Sequence, residues 1–337
     1  MAKGAGSSGE RLGVAQTARF ALGATIGSLS MVLLHPVIGL PIAAGGLAAL
    51  VYGNRTVLAL MVATVAGALT GLVAHQANVY VIVLPLTGSV VGGAGPYVFT
   101  ALTVASLALV GPGMVVLMRS GSPLRATAIA ALALSAMQAA VLLSFAAMAG
   151  QTVPALIGAV IAEVAAQTGA LIEMEDALAA SWPGLLVSMN AFAAVLVAAI
   201  VGRAGVRRGA TVRPIPPLAR LDLDPRVAVL PIVAIALLAA GRIPAAIGPA
   251  LEVTGMNVLI VARWVFFLQG IAVFAGLYER AGFSRTTRAL GYALLGVTEA
   301  LLPLVSLTGL ADVWLNMRRL PRDGSTPEAV ETPSDTD

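Results

Sequence analysis

Long apolar stretches separated by short polar or charged breaks run along almost the whole chain. Within a stretch the residues do not alternate between polar and apolar, and most stretches could cross a hydrocarbon layer about 30 Å thick as helices. A membrane barrel would need strands of about ten residues with alternating polarity. The pattern predicts an all-α, polytopic transmembrane helix bundle of about 8–10 hydrophobic segments. The segments fall at 14–34, 37–52, 56–74, 79–94, 97–118, 125–148, 181–202, 228–243, 254–278 and 288–316.

The polar breaks divide the chain into regions. The segment 149–180 begins apolar and ends acidic, which is typical of an extramembrane or interfacial amphipathic helix. The basic segment 203–227 contains "RPIPP", which disfavours a helix. The predicted regions are a flexible N-terminal tail at 1–13, an N-terminal membrane bundle at 14–148, the extramembrane acidic helix at 149–180, a C-terminal membrane bundle at 181–320 that includes the basic linker 203–227, and a disordered tail at 321–337.

The distribution of charge predicts the orientation. The 203–227 linker holds six arginines against two aspartates, whereas no Lys or Arg occurs from 126 to 202. Because cytoplasmic loops are rich in Lys and Arg, the linker should be cytoplasmic and the acidic 149–180 stretch should lie outside. Counting crossings backward, we expect a cytoplasmic N-terminus for a multi-pass protein of the bacterial cytoplasmic (inner) membrane if the segment 79–94 does not cross fully; a full crossing there would place Arg55 and the N-terminus outside.

The number of crossings stays open at two places. The segment 79–94 is short and interrupted at Pro85 and "GSVVGGAGP", so it forms either a re-entrant element near 79–95 that lines a cavity or a short tilted helix. Near the C-terminus a basic cluster precedes the 288–316 segment and another follows it. Either that segment folds back near Pro303, or one of the basic clusters lies outside. The clusters are Arg280, Arg285 and Arg288, and Arg318, Arg319 and Arg322.

Composition excludes several functional classes. The chain is 58% hydrophobic and only 11% charged, whereas in soluble domains about a quarter of the residues are charged. It has no cysteine and two histidines, so neither a thiolate nor a His-rich metal site is expected, and we predict no metal and no cofactor. The net charge of +4 comes from arginines at helix ends, which topology explains without a nucleic-acid partner. HExxH, GxSxG and P-loop motifs are absent, so we predict neither an enzyme nor an ATPase domain.

The stretch "MNVLIVARWVFFLQGIAVF", residues 256–274, carries the most unusual polar residues. On a helix, Asn257, Arg263 and Gln269 point about 120° apart, so the helix should lie inside the bundle or beside a wet cavity. A membrane-embedded arginine needs a carboxylate, backbone carbonyls or a ligand. Glu299 in the next segment should lie at the depth of Gln269, about 9 Å from Arg263 along the axis.

These residues allow two interpretations. The first is a polar substrate or ion site within the membrane, which Pro303 would support by freeing backbone carbonyls beside Glu299. The second is an ion pair that only fixes two helices. On the first interpretation the substrate-binding residues are Asn257, Arg263, Gln269, Glu299 and Asp312.

The C-terminal third also carries short motifs in a recognisable order. "NVLIVARWVFFLQGIAVFAGLYER" is followed by "LVSLTGLADVWLNMRRL", and "SWPGLLVSMNAFAAVLVAAIVGR" precedes both. This third resembles the YybS-like family of bacterial membrane proteins, over 181–320. That family is similar in architecture to the substrate-binding membrane subunits of energy-coupling factor transporters, so the resemblance implies a binding cavity between helices.

Two functions therefore remain. The first is a small-molecule transporter or substrate-binding transporter subunit in the lipid bilayer. The second is a non-transporting membrane scaffold that docks an envelope protein through the 149–180 helix.

Overall fold

The computed structural model describes residues 113–119, 121–168, 175–207, 214–243 and 246–321. Within these ranges every regular element is helical and no strand occurs, which confirms the all-α prediction. The predicted re-entrant element at 79–95 and the N-terminal tail lie outside them. Residues 113–119 are helical. The helices that follow are α1 Pro123–Met148, α2 Val153–Thr168, α3 Glu175–Ala180, α4 Trp182–Arg207, α5 Val229–Gly241, α6 Gly248–Arg280, α7 Arg285–Leu301 and α8 Leu304–Leu315, with 3-10 turns at Leu218–Arg220 and Pro225–Ala228.

Several of these helices suit a membrane. In the described part of the chain, three helices are long and apolar enough to cross one: α1, the Trp182–Arg203 part of α4, and α6. The bent pair α7 and α8 would make a fourth if it counts as one span. At 1.5 Å per residue, the 33 residues of α6 measure about 50 Å, more than a hydrocarbon core of about 30 Å requires. The membrane-helix prediction is confirmed.

The chain divides into two compact units, Met1–Ile215 and Pro216–Asp337. The division falls inside the predicted linker 203–227, and α4 stays helical as far as Arg207. The predicted partition into the regions 14–148, 149–180 and 181–320 stays a prediction.

In the first unit, α1 packs against α4 through small side chains and one polar contact. The Asn190 side chain is buried and its amide donates to Ser135 Oγ at 3.1 Å and to Gln138 Oε1 at 2.9 Å. Ser135 Oγ in turn donates to the carbonyl of Ala131. Polar side chains that bond across apolar helices in this way hold them together without a hydrophobic driving force.

The second unit is built around α6. Residues 218–241 run antiparallel along it: Ala219 lies beside Gly276, Asp222 bonds Gln269, and Gly241 packs on Glu252 at the other end. Only the last part of this run is α-helical. An irregular segment, residues 218–224, which begins with the first 3-10 turn, therefore lies beside the apolar second half of α6.

Helices α6 and α8 run parallel and in very close contact. A Cβ on Gly270 would overlap the carbonyl of Val305, and a Cβ on Gly309 would overlap the carbonyl of Phe266. Glycine at both positions lets the two backbones touch, as small residues commonly do in membrane helices. This contact fixes which residues of the two helices face each other.

The chain bends by 101° between α7 and α8, at Leu302 and Pro303. Helix α8 then returns toward the C-terminal end of α6, where Arg280 Nη2 donates to the carbonyl of Arg318 at 2.7 Å. Arg285 follows Arg280 across a short turn. Arg318 and Arg319 therefore lie at the same end of α6 as the first basic cluster, which agrees with the fold-back alternative near Pro303.

Candidate functional site

Two polar clusters lie along the contact between α6 and α8. We call them the Arg263 cluster (Arg263, Glu299 and Ser306) and the Arg318 cluster (Asp222, Gln269, Asp312 and Arg318). The two clusters are six residues apart on α6 and six apart on α8, and the contact of Gly309 with Phe266 lies between them.

The Arg263 cluster repairs the backbone break after α7. In an unbroken helix the carbonyl of Glu299 would accept from the N–H of residue 303, but Pro303 has no N–H. Arg263 takes that place: its Nη2 donates to the Glu299 carbonyl, and its Nε donates to Glu299 Oε1 at 2.8 Å. The arginine thus binds both the freed carbonyl and the carboxylate of one residue.

The Glu299 carboxylate also caps the start of α8. Its Oε2 accepts from the backbone N–H of Ser306 at 3.0 Å, and its Oε1 accepts from Ser306 Oγ at 2.6 Å. The Ser306 N–H is one of the first four in α8, which have no partner within the helix. A carboxylate at a helix N-terminus is favourable because the helix dipole is positive there. Both oxygens of Glu299 are therefore occupied.

Arg263 is much more exposed than its partner. Its side chain is 48% accessible, against 10% for that of Glu299. In the part of the chain that the structure describes, no protein group accepts from Arg263 Nη1. The residue lies at the middle of α6, next to the exposed Trp264, whose ring packs edge-on against Phe267. The Arg263 cluster thus presents unused donors, whereas each oxygen of its carboxylate already accepts at least one hydrogen bond.

The Arg318 cluster is buried. Arg318 donates through Nη2 at 2.8 Å and through Nε at 3.1 Å to Asp312 Oδ2, and through Nη2 to Asp222 Oδ1 at 3.3 Å. Gln269 Nε2 donates to the same two oxygens, at 2.9 Å and 3.0 Å. The side chain of Arg318 is 3% accessible and that of Asp312 is 0% accessible. Asp312 Oδ2 and Asp222 Oδ1 each accept from both the Arg318 guanidinium and the Gln269 amide.

Arg318 also holds the irregular segment in place. Its Nη1 donates to the carbonyls of Ala219 at 3.1 Å and Leu221 at 2.6 Å. The side chain reaches them because α8 stops at Leu315 and Asn316 takes a left-handed conformation, with φ 43 and ψ 53. Asparagine tolerates this conformation better than most residues. The resulting turn directs the Arg318 side chain back to Asp312 in the last turn of α8.

The five residues predicted to bind substrate do not form one site. Arg263 and Glu299 meet, whereas Gln269 and Asp312 meet in the other cluster. Asn257 lies elsewhere on α6, and its side-chain amide donates to the Val253 carbonyl one turn earlier. In the ranges that the structure covers, no group of three His, Asp or Glu side chains is placed to hold a metal ion.

Sequence reasoning missed three members of these clusters: Asp222, Ser306 and Arg318. For Ser306 a signal existed, because a hydroxyl three positions after a proline break is well placed to meet an incoming carboxylate. Arg318 was interpreted as part of a basic cluster that sets topology, and not as a partner of Asp312. Asp222 was counted only as one of two acidic residues in a basic linker.

The fold and the buried polar clusters define an integral membrane protein of the helical class. The family model described as "Predicted membrane protein (DUF2232)" matches residues 17–313, and the chain belongs to that family. No curated protein matches the chain, and no solved structure matches it.

Proposed function

We propose that this protein is a small-molecule transporter, or the substrate-binding subunit of one, with Arg263 at its polar site within the membrane. The observation that carries the proposal is the helix break at Leu302 and Pro303, which lies next to a half-exposed arginine at the middle of α6. Irregular backbone at membrane depth is tolerated where protein covers it or where it lines a cavity, and broken helices often form transporter sites. A charged residue at the centre of a membrane helix costs about 3 kcal/mol on insertion scales, so its presence favours a functional role.

In this proposal the five predicted residues have different tasks. Arg263 contacts the substrate, and Glu299 holds the arginine in position with the help of Ser306. Gln269 and Asp312 fix α6 against α8, and Asn257 lies six residues before Arg263 on α6. No catalytic step is assigned. The resemblance to the YybS-like family, and through it to substrate-binding subunits of energy-coupling factor transporters, supports a binding cavity but names no ligand.

The proposed location is the cytoplasmic membrane of a bacterium. Arg280, Arg285, Arg288, Arg318 and Arg319 lie at one end of the second unit, and the positive-inside rule favours the cytoplasm for that end. The same rule favours a cytoplasmic N-terminus.

Native mass spectrometry of the protein released from lipid nanodiscs tests the proposal. We expect the wild-type protein to retain a bound small molecule and Arg263→Ala to lose it while still inserting and folding. Arg242→Ala is the matched control, because Arg242 is an exposed arginine at the end of α5, far from the cluster. Equal occupancy in wild type and Arg263→Ala would contradict a site at Arg263.

The second candidate is a scaffold that docks another membrane or envelope protein. It is favoured by the saturation of Glu299, since an arginine bound to both the carboxylate and the carbonyl of one residue already stabilises the bend. The 149–180 region would supply the contact, and Asp176 there is exposed. On this function, Arg263→Ala lowers only stability, and neutralising Glu173, Glu175 and Asp176 abolishes capture of the partner.

A further inference from the structure

In the Arg263 cluster, the donors of the arginine are only partly used, whereas both oxygens of the glutamate already accept hydrogen bonds. Glu299 accepts from Arg263 at Oε1 and from Ser306 at both oxygens. Arg263 uses Nε and one hydrogen of Nη2. A guanidinium carries five N–H donors, so Nη1 and part of Nη2 remain available on the exposed side of the residue.

From this inequality we infer that the substrate of this site carries an anionic oxygen group, a carboxylate or a phosphate, that binds the outer edge of Arg263. The inference rests on the proposed function and deepens it. A ligand amine would need an acceptor, and the carboxylate of Glu299 is buried and occupied on both oxygens. A ligand carboxylate or phosphate needs donors, and the guanidinium presents two of them side by side, which suits bidentate binding.

The residues next to Arg263 on α6 narrow the chemical class of the ligand further. Trp264 and Phe267 lie beside it on α6 with their rings in edge-to-face contact, so the part of the ligand next to the anionic group meets an aromatic surface. An amphipathic anion with a small apolar body fits this environment better than an inorganic ion. The same anionic chemistry could also come from a phospholipid headgroup, so the experiment separates the two sources.

Fluorescence of Trp264 supplies the measurement. The chain has three tryptophans, and a Trp182→Phe and Trp314→Phe background leaves Trp264 alone, next to the guanidinium. The protein in nanodiscs of neutral lipid is titrated with benzoate, inorganic phosphate and choline. A parallel series uses nanodiscs that contain phosphatidylglycerol.

Glu299→Gln is the decisive variant, because the two classes of ligand predict opposite signs. Removing the negative charge beside Arg263 should tighten benzoate or phosphate binding by about tenfold, given the size of Coulomb energies at short range in a partly buried site. A cationic ligand held by Glu299 would instead be lost. Arg263→Gln should abolish the response to the anions, and Arg242→Gln should leave it unchanged.

Each outcome decides the inference. A response to benzoate or phosphate that needs Arg263 and increases in Glu299→Gln supports a free anion. A response to phosphatidylglycerol alone with the same dependence supports the same chemistry with lipid as its source. The inference is overturned by binding of choline, by the lack of any Arg263-dependent response to an anion, or by an anion response that does not increase in Glu299→Gln. If native mass spectrometry then still finds a molecule that Arg263→Ala loses, only the ligand class is wrong and the proposed function stands.

Discussion

The Arg263 and Arg318 clusters are built from the same parts but differ in how much of the arginine is covered. In each, one guanidinium binds a carboxylate together with backbone carbonyls that an irregular segment leaves without helical partners. The Arg318 side chain is 3% accessible, whereas that of Arg263 is 48% accessible. Full burial leaves an arginine only a structural role, while partial burial leaves it donors that a ligand can use.

Both clusters answer the same physical requirement. Backbone carbonyls in a hydrocarbon environment cost free energy unless something donates to them, and a broken element cannot supply its own donors. Arginine suits this task because its planar fork reaches a carboxylate and a carbonyl at once and stays charged. The helix break before α8 and the irregular segment before α5 are therefore each paired with an arginine.

Removal of the buried arginine should produce the largest effect. In Arg318→Gln, Asp312 and Asp222 lose their guanidinium, and the carbonyls of Ala219 and Leu221 lose a shared donor. Breaking a buried ion pair from one side costs about 3–5 kcal/mol. We expect a loss of that size in the free energy of unfolding, measured by unfolding from mixed micelles with increasing denaturing detergent.

Arg319→Gln is the matched control for that experiment, because Arg319 is the exposed neighbour of Arg318. A surface change of this kind should stay within about 0.5 kcal/mol. Equal losses in the two variants would mean that the buried cluster contributes no more than a surface charge, and the comparison between the clusters would fail.

Changing the contact of Gly309 with Phe266, which lies between the two clusters, should produce the second largest loss in the free energy of unfolding. Gly309→Ala places a methyl group where the carbonyl of Phe266 lies, so α8 must move away from α6 and both clusters must stretch. Overpacking of this kind costs about 1–3 kcal/mol. Gly296→Ala on α7 is the control, since a Cβ there meets nothing within 4 Å, and it should be neutral or slightly stabilising. A neutral Gly309→Ala would show that the two helices are not held as closely as the structure has them.

The helices themselves could be predicted from the sequence because their signal is local. Apolar length identifies α1, α4 and α6, and Pro303 marks the break. The contact of Arg263 with Glu299 was also within reach, because the two residues were expected about 9 Å apart along the axis, and a long arginine side chain covers much of that distance. The depth argument then failed for Gln269. Glu299 was expected at the depth of Gln269 but contacts Arg263 instead, and after the 101° bend Asp312 of α8 contacts Gln269.

The Arg318 cluster could not have been derived in this way. Its geometry depends on a left-handed turn at Asn316 and on the irregular segment, residues 218–224, which lies beside α6 and is not α-helical. Neither feature leaves a pattern in the hydrophobic positions. A Pro-rich, arginine-containing stretch indicates a loop, and nothing local shows that Asp222 reaches the apolar half of a helix.

The smallest effect should come from changing the exposed arginine while keeping its charge. Arg263→Lys can still pair with the Glu299 carboxylate but cannot also donate to the Glu299 carbonyl in the same geometry. Loss of one such hydrogen bond costs about 1 kcal/mol, so the free energy of unfolding should fall by about that amount. Arg318→Lys should cost clearly more, since one ammonium group with three donors cannot serve all four buried acceptors that Arg318 contacts. If the two lysine variants were equally destabilised, Arg263 would be as fully committed to the fold as Arg318, and its outer edge would not be available to a ligand.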